Sequence, residues 1–136
     1  MKYNFREWLR EKELNESIKE RIFKLNINDI EYTIFRDDHL FDNSRGDNKP
    51  KDSNMSKNKY QNVFNTFFNT EHNLKLNKTI TVTWESQNNK NNALSFGLAP
   101  KTKLITVFGA IMNGKSKDPS KLYSSVTNRI HLGKVN

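Results

Sequence analysis

The stretch TITVTW (79–84), ESQNNKNN (85–92), ALSFGLA (93–99), Pro100–Lys101 and KLITVFGAIM (103–112) decides the fold. TITVTW is a β-branched run that ends in an aromatic, as a half-buried strand requires. The eight polar residues after it suit a hairpin loop, and ALSFGLA reads as the return strand. Pro100 and Lys101 make a turn. KLITVFGAIM is the most apolar of the three runs and is expected near the sheet centre. Together they read as an antiparallel meander.

Working outward, residues 56–70 carry Tyr60, Val63, Phe64, Phe67 and Phe68 at i, i+3, i+4, i+7 and i+8, a full helical stripe with Ser56 as a cap. Such a helix belongs on one face of the sheet. DIEYTIFR (29–36) is rich in β-branched and aromatic residues and reads as a strand. Residues 37–55 are polar, contain Gly46 and Pro50, and read as a long loop. In residues 4–25, Phe5, Trp8 and Leu9, then Leu14, Ile18, Ile22 and Leu25, recur at helical spacing, so an amphipathic helix is expected, whole or broken near Asn15. Asp118–Pro119 resembles an N-cap with Pro at N1, and Leu122, Val126 and Ile130 follow at i, i+4 and i+8, which predicts a short C-terminal helix. The expected class is α+β: a small antiparallel β-sheet with N-terminal and central helices packed on one face and a short C-terminal helix, in one domain over 1–136.

Composition narrows the function. The 136 residues include no cysteine, so disulfides, thiolate metal sites and Cys nucleophiles are excluded. MKYNFREWLREKE alternates charged with apolar residues, which is neither a signal peptide nor a membrane span, and a cytoplasmic location is expected. The 20 Asn and 17 Lys have A/T-rich codons and reflect genome bias in part. The charge is uneven, however. Residues 1–48 hold 9 Lys/Arg against 11 Asp/Glu, whereas residues 49–136 hold 14 against 4. Codon bias adds lysine anywhere but does not remove acids from one part of the chain. An electropositive C-terminal part is what a phosphate backbone selects, so nucleic acid is the expected partner.

Gly109–Ser116 fits the phosphate-loop pattern G-x-x-x-x-G-K-[ST]. Only 20 residues follow it, too few for further parallel strands and a magnesium-holding acid, so it reads as a strand ending in an Asn113–Gly114 turn. Lys115 and Lys117 remain candidates for phosphate contact, with Lys101 and Lys103. No two of His39, His72 and His131 have metal-ligand spacing, so neither metal nor cofactor is expected. His39 has Asp38 and Asp42 nearby to orient it and Arg45 to hold a developing anion, which makes it the candidate acid or base. His72 and His131 read as partners of helix C-termini. Trp84 and Phe96, on strands, are candidates for stacking on bases.

The order of His39-x5-Arg45, YQNVFNTFF (60–68) and the strands of 80–111 resembles that of the RelE-like and phage RegB-like endoribonucleases. The resemblance implies a small basic, toxin-like or phage protein that cuts RNA without a metal. His39 would be the acid or base and Arg45 the phosphate clamp, and the 2′-hydroxyl would attack the adjacent phosphate. Two other readings stay open: a non-catalytic nucleic-acid binder, and an interaction module that docks on a host or antitoxin protein through its N-terminal helix or a sheet edge.

Overall fold

A computed structural model of the chain describes residues 21–37, 55–87, 92–111 and 128–135. Six strands and one helix are built from them: β1 (Ile22–Ile27), β2 (Ile30–Arg36), α1 (Lys57–Phe68), β3 (Ile80–Glu85), β4 (Asn92–Ala99), β5 (Leu104–Ile111) and β6 (Arg129–Lys134). The strands form one mixed sheet in the order β1-β2-β5-β4-β3-β6. The expected meander is its middle, with β3–β4 and β4–β5 antiparallel. Two parallel pairs, β2 with β5 and β3 with β6, extend it on either side. The long connections between those pairs are what parallel pairing demands.

This architecture corrects the expected fold class. The sheet is six-stranded and mixed, not small and antiparallel, and the described residues hold one helix where three were expected. The differences arise at both ends of the chain. Residues 22–25, assigned to the N-terminal helix, lie in β1; residues 4–20 are outside the described residues. Ile22 and Leu25 do fall at helical spacing, but Phe23, Leu25 and Ile27 alternate with Ile22, Lys24 and Asn26, and the buried set is the period-two one. Pairing is closed by a two-residue turn at Asn28 and Asp29, with φ of 52° and 66°. Positive φ at both central residues matches the right-handed twist of a tight hairpin, and Asn and Asp tolerate it best after glycine. The C-terminal helix is corrected in the same way: Ile130, its last expected turn, lies in β6, which pairs with β3. The remainder of that segment, 118–127, is outside the described residues.

The helix forms where expected. Ser56 sits in extended geometry, and its hydroxyl accepts the Lys59 amide at 3.2 Å, satisfying an otherwise orphaned donor. Tyr60, Val63, Phe64 and Phe67 are buried against one face of the sheet. The opposing layer consists of Phe23, Leu25 and Ile27 of β1, Tyr32 and Ile34 of β2, Ile105 and Val107 of β5, Leu94 and Phe96 of β4, and Ile80, Val82 and Trp84 of β3. Phe96 is the pivot. Phe64 and Phe67 both meet its ring edge-on, with centroids 5.1 and 5.3 Å away. Polar contacts tie the helix to the hairpin: Gln61 Nε2 donates to the Asn26 carbonyl at 2.8 Å, and Asn69 Nδ2 to Asn28 Oδ1 at 3.3 Å.

The face of the sheet away from α1 has a different composition. Thr81 and Thr83 on β3 and Ala93 and Ser95 on β4 are buried there, so the middle of the sheet is closed on both sides. Thr81 and Ser95 share a hydroxyl–hydroxyl hydrogen bond of 2.8 Å, which removes the cost of burying both groups.

Candidate nucleic-acid interface

The charges of the described residues are unevenly placed along the chain. Residues 21–37, with the β1–β2 hairpin, carry three Lys/Arg and three Asp/Glu. The other described segments carry eight Lys/Arg and two Asp/Glu, Glu71 and Glu85. Antiparallel pairing puts the start of β3 and the end of β4 at the same end of the sheet. The α1–β3 loop therefore brings exposed Lys75 and Lys78 to the end where the β4–β5 turn presents Lys101 and Lys103. Lys101 is exposed. Lys103 is half-buried with φ of 55°, its carbonyl accepts the Thr33 amide at 2.8 Å, and its ammonium stands 6.0 Å from the centre of the Tyr32 ring. That geometry suits a weak cation–π contact and gives Lys103 a structural tie as well as a charge.

Asn128 joins this end to the edge strand β6. Its side-chain oxygen accepts the Lys75 amide at 2.9 Å, its Nδ2 donates to the carbonyls of Lys75 and Thr79, and its own carbonyl accepts the Thr81 amide at 3.0 Å. The loop that carries Lys75 and Lys78 is thus pinned to the residue before Arg129.

On β6, Arg129 and His131 stand opposite Thr81 and Thr83 of β3, and so on the sheet face away from α1. Being two residues apart in a strand, they project to one side at a spacing of about 7 Å. His131 is exposed; its Nδ1 and the Thr83 hydroxyl lie 2.8 Å apart in a hydrogen bond that restrains the ring and leaves Nε2 available for a further partner. Arg129 is half-buried, and its Nη2 is shielded from solvent without a hydrogen-bond partner. A sheltered guanidinium donor without an acceptor is uncommon, because it forgoes water with no replacement. The register between β3 and β6 then shifts between Thr83 and Glu85, at Gly133, whose φ of +77° fits the extra residue of a bulge. Bulges of this kind re-aim side chains at the end of a pairing, here next to His131 and before exposed Lys134.

The structure redistributes the residues expected to form a site. Trp84 and Phe96 are each 0% exposed in the layer beneath α1. They are packing residues, and the stacking role assigned to them is corrected: a base cannot reach either ring without displacing the helix. Lys101 and Lys103 lie at one end of the sheet as described. His39, Arg45, Lys115 and Lys117 are outside the described residues. His72 stacks on Phe67 with centroids 4.8 Å apart and accepts the Leu74 amide at Nδ1, so it serves the loop after α1. The pairing of Arg129 with His131 is hidden when the segment is read as a helix. On the expected helix, positions i and i+2 point apart, whereas on a strand they share a face. The alternation of Ile130 and Leu132 in RIHLGK was the available signal.

Among the described residues, no three His, Asp or Glu side chains gather as a metal site, and no helix is long and apolar enough to cross a membrane. No family model matches the chain, and comparison with curated proteins and with solved structures yields no match.

Proposed function

We propose that the protein binds nucleic acid through its phosphate backbone, with single-stranded RNA as the favoured form. The binding surface would run from the Lys75, Lys78, Lys101 and Lys103 end of the sheet along β6 to Lys134. The observation that supports this reading is the division of charge: the described residues outside the β1–β2 hairpin carry eight Lys/Arg against two Asp/Glu, while residues 21–37 are balanced at three against three. A surface selected only for solubility has no reason to separate the signs in this way. Lysines bind phosphate as mobile point charges and carry no sequence information, so affinity is expected to be strong at low salt and largely indifferent to base sequence. Fluorescence anisotropy with a labelled single-stranded RNA tests it. The logarithm of the association constant should fall linearly with the logarithm of salt concentration, at a slope of about −0.7 per phosphate neutralised. Absence of binding at low salt would remove the reading and leave the interaction module.

Metal-independent cleavage of RNA is a second reading, and His131 favours it. This histidine is exposed on β6 and its ring is held through Nδ1 by Thr83, which leaves Nε2 free to exchange a proton. Incubation of a mixed RNA pool in EDTA with the native protein, His131→Ala and His39→Ala distinguishes the cases. Products lost only with His131→Ala would place the chemistry on β6, and products lost only with His39→Ala would place it on the 37–55 segment. Intact RNA throughout would leave a binding protein.

A further inference from the structure

We infer that Arg129 and His131 form a dedicated subsite for one phosphate group of the nucleic-acid strand, distinct in kind from the diffuse lysine surface around it. The inference rests on the nucleic-acid reading above and adds a specific point of contact to it. Three features of β6 carry it. First, Arg129 Nη2 is out of solvent and has no partner, so its donor capacity is unspent in the free protein. Second, His131 two residues along projects from the same face of the strand, and Thr83 holds its Nδ1 at 2.8 Å, which restrains the ring. Third, no carboxylate of the described residues forms an ion pair with Arg129; Glu85, the nearest acid along β3, stands opposite Lys134 beyond the bulge. A guanidinium and an imidazole about 7 Å apart at their backbones can converge on the oxygens of one tetrahedral phosphate. They do so once the long arginine side chain turns Nη2, shielded in the free protein, out toward the strand face. Arginine supplies planar, directed donors there, and the partly sheltered position strengthens each charge-assisted bond relative to one in open water. The side chains opposite them on β3, Thr81 and Thr83, carry no charge, so Thr83 can hold the His131 ring and neither neutralises Arg129.

The lysines and the subsite should therefore behave differently. Replacing Lys75 by Gln removes one screened charge. Replacing Arg129 by Lys keeps the charge but removes the forked donors, and that change is conservative for a surface cation but not for a directed clamp. The test uses the full chain with its histidine side chains observed by 15N NMR, titrated separately with a single-stranded oligoribonucleotide and with inorganic phosphate, and anisotropy on the same variants. Expected is a saturable shift of the His131 ring signals with the oligonucleotide and a weaker one with phosphate. Arg129→Lys should weaken oligonucleotide binding about tenfold or more and abolish the His131 shift, while Lys75→Gln should weaken binding about two- to threefold and keep the shift. Thermal unfolding of Arg129→Lys within a few degrees of the native protein certifies its fold, and His131→Asn, which should lose affinity without loss of the salt slope, gives a second route. Full-strength binding to Arg129→Lys together with an unmoved His131 would overturn the subsite while leaving the nucleic-acid reading intact. A His131 shift with phosphate but no oligonucleotide binding would retain the anion site and overturn its assignment to a nucleic-acid strand.

Discussion

Phe96 offers the sharpest test of how the helix is held. It is fully buried, and the rings of Phe64 and Phe67 both meet it edge-on, at 88° and 85°. Truncation to Leu keeps an apolar side chain but deletes both ring contacts. Each edge-to-face contact contributes about 0.5–1.5 kcal/mol beyond area burial, and the incompletely filled site adds a cavity cost, so Phe96→Leu should destabilise by about 2–3 kcal/mol. Phe64→Leu loses one of the two contacts and should cost about 1–2 kcal/mol. Because one contact is counted in both singles, the double variant should cost less than their sum by about 0.5–1.5 kcal/mol. Urea unfolding followed by far-ultraviolet circular dichroism measures all four corners of the cycle, and the midpoint temperature of Phe96→Leu should fall by on the order of 10 °C. Singles that add within about 0.3 kcal/mol would refute the packing described, because rings that do not touch cannot couple. A Phe96→Leu protein that keeps its stability and loses RNA binding would refute it more completely, since it would restore Phe96 as a stacking group.

Other perturbations follow from single contacts. Ser56→Ala should cost about 1 kcal/mol in urea unfolding, because the Lys59 amide loses the hydroxyl that accepts it, whereas Ser56→Asp should retain nearly all the stability. At Gly133 an added Cβ meets nothing within 4 Å, so Gly133→Ala is limited by φ alone; it should cost about 1–2 kcal/mol, and Gly133→Asn should recover part of that. Trp84 is buried with its indole N–H unpartnered, so Trp84→Phe exchanges lost packing for relief of an orphaned donor. Its net effect in thermal unfolding should stay within about 1 kcal/mol, far below the usual cost of shrinking a buried aromatic.

The middle of the fold was legible because its signals agree. TITVTW, ALSFGLA and KLITVFGAIM are each long enough for one period to dominate, and the Tyr60–Phe68 stripe admits only a helix. The ends were not, because short segments satisfy two periods at once. In RIFKLNI, Ile22 and Leu25 continue the spacing set by Leu14 and Ile18, while Phe23, Leu25 and Ile27 alternate; tertiary pairing with β2 decides between them, aided by an Asn28–Asp29 turn that carries no glycine to announce it. In RIHLGK, Gly133 reads as a helix stop but serves a bulge. The same ambiguity hides the pairing of Arg129 with His131, which share a face only on a strand. Burial of Trp84 and Phe96 was illegible for a different reason: an alternating strand shows which side chains share a face but not which face the helix covers.

The central claim is that phosphate binding belongs to the β3–β6 side of the sheet. The most direct measurement compares RNA affinity and its salt slope for Lys75→Gln/Lys78→Gln/Lys134→Gln with those for Arg21→Gln/Lys24→Gln on the β1 side. The account predicts that the triple variant loses about one to two powers of ten in affinity at low salt and flattens the salt slope, while the β1-side variant binds within about twofold of the native protein. Losses in proportion to the charges removed, three against two, would mean that binding follows net charge alone, and would contradict a localised surface.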